Sequence, residues 1–133
     1  MITTHEEFVR ILFKKVCAIL AHPELQLRFI KRQACLRRQG IANAKRFVKG
    51  YINLKTKVIG LDIYTPKRLK PKSPNGLIRT ICHEVAHLQK PPFRQRFRGH
   101  NIFRQHFPVF YRQVTRNVNK VKKDKILNSY FQA

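Results

Sequence analysis

Two histidines and a glutamate share one short segment, arranged as His83-Glu84-x-x-His87. Residues four apart lie on the same face of a helix, so both imidazoles can contact one metal ion. Glu84 lies on the adjoining side, where its carboxylate can take a proton from a water molecule on that ion. The surrounding residues are apolar, and burying unpartnered polar groups among them is costly. The pattern therefore predicts a zinc site with His83 and His87 as ligands and Glu84 as the general base.

The third ligand of a catalytic zinc ion must come from elsewhere in the chain, since such sites usually have three protein ligands. After Glu84 there is no further glutamate or cysteine, and the sole acidic residue is Asp124. His100 and His106 are the remaining candidates. His100 opens a predicted helix, so a loop end can present it, whereas His106 falls inside that helix. This favours His100 as the ligand and leaves His106, like Tyr111, as a possible oxyanion donor.

The elements that position these residues are predicted from hydrophobic periodicity and from turn and capping residues. A length of 133 residues favours one domain over residues 1–133. The predicted elements are N-terminal helices over 1–40, a β-hairpin over 45–65, the His-Glu-x-x-His helix over 75–89 and a C-terminal helix over 101–123, kinked at Pro108. The fold class is α+β, a small antiparallel or mixed sheet packed on helices with the motif helix at its centre.

The charge is strongly unbalanced, with 29 basic and 6 acidic residues and a net charge of +23. Such a charge favours a polyanionic partner, and phosphate contacts made by basic residues do not depend on sequence. Residues 90–98, next to the predicted ligands, form a basic loop in which Phe93 and Phe97 could stack on bases. The basic residues predicted to contact nucleic acid there are Lys90, Arg94, Arg96 and Arg98. Phe103, in contrast, is predicted to lie on the core face of the last helix.

Several classes of protein are disfavoured by the same sequence. There is no apolar run of the roughly 18 residues that a membrane-spanning helix needs. The first ten residues carry two acids rather than the basic start of a secretory signal. The three cysteines are far apart, which disfavours a disulfide framework or a zinc ribbon. These features predict an intracellular monomer, cytoplasmic or associated with the nucleoid or nucleus, that is not secreted and has no membrane partner.

The segment LIRTICHEVAHL, followed by a basic loop and then GHNIFRQHF, resembles the SprT-like (Spartan-type) zinc metallopeptidases. In that family an apolar helix carries His-Glu-x-x-His, and a later Gly-His with a phenylalanine shortly after it supplies the third ligand. Gly99-His100 with Phe103 is similar to this second pattern. The resemblance covers roughly residues 45–112 and is loose outside these two motifs.

The resemblance implies a minimal zincin-like protease core that holds one catalytic Zn²⁺ and cleaves proteins bound to nucleic acid, DNA more than RNA. Its implied metal ligands are His83, His87 and His100, and its implied catalytic base is Glu84. A substrate peptide could add as an extra strand beside residues 57–64.

Two other functions are open on the sequence. A metal-dependent endoribonuclease of YbeY-like type would use the same ion to attack phosphorus, and the basic charge would suit RNA. A non-catalytic nucleic-acid-binding protein could retain a zincin fold. Glu84 favours peptide hydrolysis over both, because YbeY-like sites lack a glutamate at this position and a silent site has no need of a base.

Overall fold

The computed structural model describes residues 4–30, 50–65 and 70–131. Its helices are α1 (Thr4–Ile19), α2 (Pro74–Gln89), α3 (Pro108–Lys122) and a 3-10 helix (Leu127–Phe131). Its strands are β1 (Gln26–Phe29), β2 (Gly50–Asn53), β3 (Val58–Leu61), β4 (Phe93–Phe97) and β5 (His100–Arg104). The predicted α+β class is confirmed. None of the helices in these ranges has the length and apolar character needed to span a bilayer.

A three-stranded mixed sheet lies beside the motif helix, with strand order β1-β3-β2. β2 and β3 form the predicted hairpin and pair antiparallel, whereas β1 pairs parallel with β3. The sequence predicts N-terminal helices over residues 1–40, and over the strand Gln26–Phe29 that prediction is wrong. Leu27 and Phe29 alternate with more exposed residues and pack on the core, which is the two-residue period of a half-buried strand. Residues 31–40 of that prediction lie outside the described residues.

Helix α2 begins at Pro74, one residue before the predicted start, and ends at Gln89 as predicted. Ser73 is the N-cap, and its hydroxyl oxygen accepts a hydrogen bond from the Gly76 amide at 3.2 Å. Pro74 follows in the first turn, where the missing N–H is not needed. The apolar face of α2 is fully buried, and the core formed with α1 and the sheet includes Ile78 and Ile81. This packing holds the motif helix against the sheet.

The segment after α2 differs most from prediction. Residues 93–104 form an antiparallel ribbon, β4 and β5, and α3 begins only at Pro108. The turn residues Arg98 and Gly99 have φ of 51° and 80°, the positive values that a two-residue hairpin turn requires. Pro108 occupies the first turn of α3 and produces no kink in a longer helix. The helix predicted to start at residue 101 is therefore wrong in its first part, and Phe103 is an exposed strand residue with 54% of its surface accessible.

A buried asparagine links α2 and α3. Asn117 donates through Nδ2 to the Cys82 carbonyl at 3.1 Å and to Gln89 Oε1 at 2.7 Å. Its Oδ1 accepts from Gln113 Nε2 at 3.0 Å. Only 2% of Asn117 is exposed, so water cannot replace these partners. The asparagine fixes how the two helices lie against each other.

Replacing Asn117 with alanine is expected to lower the free energy of unfolding by about 2 kcal/mol, because the variant loses buried hydrogen bonds and leaves partners unsatisfied. Asn119, exposed on the same helix, provides a matched control. Asn119→Ala should change stability by less than about 0.5 kcal/mol. Urea denaturation of both variants measures the difference. Equal effects would show that the link contributes nothing.

Candidate metal centre

Three histidine rings converge at one point. One ring nitrogen from each of His83, His87 and His106 lies within 4.8 Å of the other two. His83 and His87 lie one turn apart on α2, with ring centroids 5.0 Å apart. The His106 ring lies 5.2 Å from that of His83 and 4.9 Å from that of His87. The three residues are therefore placed closely enough to bind a metal ion.

The third member of this group is His106 and not His100. His106 lies two residues before Pro108, the first residue of α3, so the start of that helix delivers it to α2. His100 opens strand β5, opposite Phe97. Strand β5 is about 13 Å long at 3.3 Å per residue, and this length separates His100, at its first residue, from the loop that carries His106. A helix starting at residue 101 would have put His100 at the end of the loop before it. Because α3 starts at Pro108 instead, the histidine just before the helix is His106.

Phe110 forms the apolar floor beneath the three rings. Its side chain is fully buried, in the first turn of α3. Its ring stacks on His87 at 4.3 Å between centroids and meets His83 edge-on at 5.0 Å and His106 at 5.2 Å. Packing against one rigid ring restricts all three imidazoles and prepares the site before any ion binds.

The electrostatic surroundings favour neutral imidazoles on α2. Burial, and then the charge of His106, lower the pKa of His83. Burial lowers the pKa of His87 to about 4, with smaller contributions from His83 and His106. A neutral imidazole has a free lone pair, which metal binding requires. Burial also raises the pKa of the neighbouring Cys82 to about 12, with Cys17 adding to the effect, so Cys82 is a core thiol. The donor set is nitrogen only, which suits zinc and several other transition metals.

Glu84 is a buried carboxyl beside the histidines. Only 7% of it is exposed, and no described residue donates a hydrogen bond to it. Burial raises its pKa to about 7. Its Oε2 lies near the backbone of β2, 3.5 Å from where a Cβ at Gly50 would be. That Cβ would also lie 2.9 Å from Thr80, so a glycine at this position allows the close approach of β2 to α2.

The raised pKa of Glu84 predicts a pH dependence of stability in the metal-stripped protein. The folded carboxyl holds its proton up to about pH 7, whereas the unfolded one releases it near its ordinary 4.5. The stability that protonated Glu84 contributes is therefore complete below pH 4.5 and is lost as the pH rises through 7. Relative to Glu84→Gln, the wild type should lose up to about 3 kcal/mol between pH 5 and 8. Urea denaturation of both proteins at each pH tests this, and a constant difference would contradict it.

A cleft of about 380 Å³ opens over the three histidines and Glu84. Strand β2 also lines this cleft, through Gly50, Tyr51 and Ile52. The Tyr51 ring lies so close over Gly60 that a Cβ there would be 2.1 Å from it. Tyr51 is not among the residues predicted for the site, although a tyrosine paired opposite a glycine in a hairpin is the signal for such packing. Tyr111, a predicted oxyanion donor, stacks on the His106 ring at 6.0 Å but is not part of the cleft wall.

The edge available to a substrate strand also differs from prediction. β3, within the segment predicted to receive the peptide, is the central strand and is paired on both sides. The outer edge of β2 carries no strand among the residues described, and β2 lines the cleft. A peptide that extends this sheet near the histidines would therefore pair with β2.

The predicted basic residues occupy three different places. Arg94 and Arg96 are exposed on β4. Arg98 lies in the ribbon turn with its guanidinium 5.1 Å from the Phe97 ring centroid. Lys90 caps the end of α2 and lines a separate cleft of about 290 Å³ with Val109, Arg112 and Arg116. In the sequence, His106 lies between the ribbon, which ends at Arg104, and Val109, which lines the second cleft.

An ion held by the three imidazoles would share its cleft with Glu84, a group able to accept a proton. Such an arrangement suits hydrolysis, because an ion can polarise the bond attacked while the carboxylate accepts a proton from water. Comparison of the chain with protein-family models, with curated proteins and with solved structures finds no match, so the functional assignment rests on the residues themselves.

Proposed function

We propose that this chain is a zinc-dependent metalloendopeptidase of the SprT-like type, an intracellular monomer that hydrolyses proteins bound to nucleic acid. The observation that carries the proposal is the buried carboxyl of Glu84, without a hydrogen-bond partner among the described residues, beside three converging imidazoles. A purely structural zinc site closes its coordination with protein ligands and has no use for such a group. Three histidines with one open position are typical of catalytic zinc.

The residues divide the work between binding and proton transfer. His83, His87 and His106 would hold the ion, and the ion would supply Lewis-acid polarisation of the scissile carbonyl and a more acidic water. Glu84 would accept a proton from that water and return it to the leaving amine. Burial raises the pKa of Glu84 to about 7 in the metal-free protein. A bound cation beside it would lower that pKa and leave the carboxylate ionised, as a proton acceptor must be.

The substrate would bind as an added strand on the outer edge of β2. Backbone groups at a sheet edge bind extended peptides without regard to sequence, while alternate side chains enter pockets. Tyr51 and Ile52 line the cleft from this edge. A peptide held there would lie along the cleft that the three histidines also line, where its backbone carbonyls could reach the proposed ion.

The endoribonuclease alternative is favoured by one observation, the basic cleft formed by Lys90, Arg112 and Arg116 near the metal centre. Against it, Glu84 would repel a phosphodiester at the position where that group must lie close to the ion. The same carboxylate does not repel a peptide carbonyl, because that group is uncharged, and it can act as the general base in peptide hydrolysis.

The test uses the whole protein in three states: as purified, stripped with a chelator, and reloaded with one equivalent of Zn²⁺. Each is incubated with an unstructured basic polypeptide and, separately, with single-stranded RNA. We expect polypeptide cleavage by the loaded protein, none by the stripped protein, recovery on reloading and intact RNA. Metal-dependent cleavage of RNA alone would establish the endoribonuclease. Cleavage of neither substrate would leave the non-catalytic binding protein.

A further inference from the structure

The β4–β5 ribbon has two unlike faces. Phe93 and Gln95 point to one side, which we call the inner face, because Phe93 packs on Phe107 at 5.0 Å between ring centroids. The cross-strand partners of these two residues, Arg104 and Ile102, are half-buried. The alternate residues form the opposite side, the outer face, and all are exposed. The outer face consists of Arg94, Arg96, Asn101 and Phe103.

The outer face combines cations with an uncovered aromatic ring. Phe103 is 54% exposed, and the Arg94 guanidinium lies 5.9 Å from its ring centroid. Neither Arg94 nor Arg96 has an acidic partner among the described residues. The sequence contains no acidic residue between Glu84 and Asp124. A polyanion would neutralise this charge without competition from the surface around it.

We propose that the outer face of the ribbon is a binding site for single-stranded DNA. Phe103 would stack on an unpaired base, Arg94 and Arg96 would contact the flanking phosphates, and Asn101 would reach the edge of a base. This rests on the proposed function, since it names the surface through which the protease would meet nucleic acid. It uses none of the residues placed in the metal centre.

The exposed ring selects a single strand over a duplex. In duplex DNA the faces of the bases are already stacked, and a ribbon in the major groove meets only base edges. Phe103, paired across the ribbon with Arg94, exposes its ring on the outer face, and an exposed ring can stack on a base that is unpaired. Stacking on a base and contact with phosphates need no 2′-hydroxyl, so a single strand of DNA supplies every group that the outer face would bind.

The experiment measures binding of a fluorescent 15-nucleotide oligothymidylate by anisotropy, using the full chain both zinc-stripped and zinc-loaded. Phe103→Leu keeps an apolar side chain but removes the ring, and we expect it to weaken binding about tenfold or more. Phe29→Leu is its matched control, because this β1 ring also has an arginine, Arg10, over it at 5.0 Å but lies off the ribbon, and it should stay within twofold.

The phosphate contacts are tested by salt dependence. Combining Arg94→Gln with Arg96→Gln should reduce the slope of log K against log salt by about 1.4, at 0.7 for each single-strand phosphate contact. The control combines Lys14→Gln with Lys125→Gln, two exposed residues off the ribbon, and should leave the slope unchanged. Circular dichroism melts verify that each variant is folded.

Four results would overturn the proposal. They are equal losses in the ribbon and control variants, binding unaffected by Phe103→Leu, a duplex of the same length bound as tightly as the single strand, and RNA bound tenfold more tightly. Because no proteolysis is measured, loss of peptidase function would not alter these results. The zinc-stripped protein should bind the oligonucleotide as well as the loaded protein, which separates failure of the metal proposal from failure of this one.

Discussion

Replacing His106 with asparagine is expected to weaken zinc binding by more than about a hundredfold. The variant would keep two imidazoles on α2 but lose the ligand that arrives from the start of α3. Loss of a supporting partner outside the coordination sphere already costs 10- to 100-fold in metal affinity, and loss of a ligand costs more. Competition with a chromophoric zinc chelator at neutral pH measures the change.

His100→Asn is the control that separates the two histidines considered from the sequence. His100 is exposed at the start of β5 and is not one of the three residues that converge. Its replacement should leave zinc affinity within twofold of wild type. If His100→Asn abolished binding while His106→Asn retained it, the ligand set drawn from the family resemblance would be correct and the geometry described above would not.

Glu84→Gln is expected to reduce peptide hydrolysis by about a thousandfold or more while the protein still binds zinc. General acid–base catalysis typically contributes 10²- to 10⁴-fold, and an amide cannot accept the proton. The replacement is nearly isosteric, and no hydrogen bond to a described residue is lost with the carboxyl. Metal affinity should therefore stay within threefold, which makes the loss specific to proton transfer.

The matched control for this variant is Glu7→Gln, an exposed glutamate on α1. Initial rates on the same polypeptide, with zinc content determined for every preparation, provide the comparison. Glu7→Gln should cleave within twofold of wild type. A Glu84→Gln protein that holds one zinc and cleaves at the wild-type rate would mean that another group takes the proton.

The parts of the fold predicted well are those that local signals specify. Ser73 and Pro74 mark the start of α2 by capping and by a preset φ, and the first helix is confirmed over Thr4–Ile19. The β2–β3 hairpin follows from β-branched and aromatic residues around a short turn. In each case the information lies within a few residues of the element it determines.

The parts predicted wrongly depend on partners distant in the sequence. β1 is a strand because it pairs with β3, some thirty residues later, and its own sequence also suits a helix. In β4, arginines alternate with Phe93, Gln95 and Phe97, so the segment lacks the run of apolar residues typical of a strand. After it, the apolar residues from Phe103 onward are spaced as in a helix, although Phe103 belongs to β5. Treating Pro108 as a helix start would have shifted the loop end to His106 and identified the third histidine.

The β4–β5 ribbon lies in the sequence between His87 and His106. Its length can therefore change independently of the three histidines. β4 and β5 pair with each other, and their turn at Gly99 opens into space, with nothing within 4 Å of an added Cβ. Each residue pair inserted at this tip would lengthen the ribbon by about 3.4 Å while Phe93 and Phe107 keep its base in place. Insertion at the tip would thus change the distance from the ribbon tip to His83, His87 and His106 and leave the arrangement of the three histidines as it is.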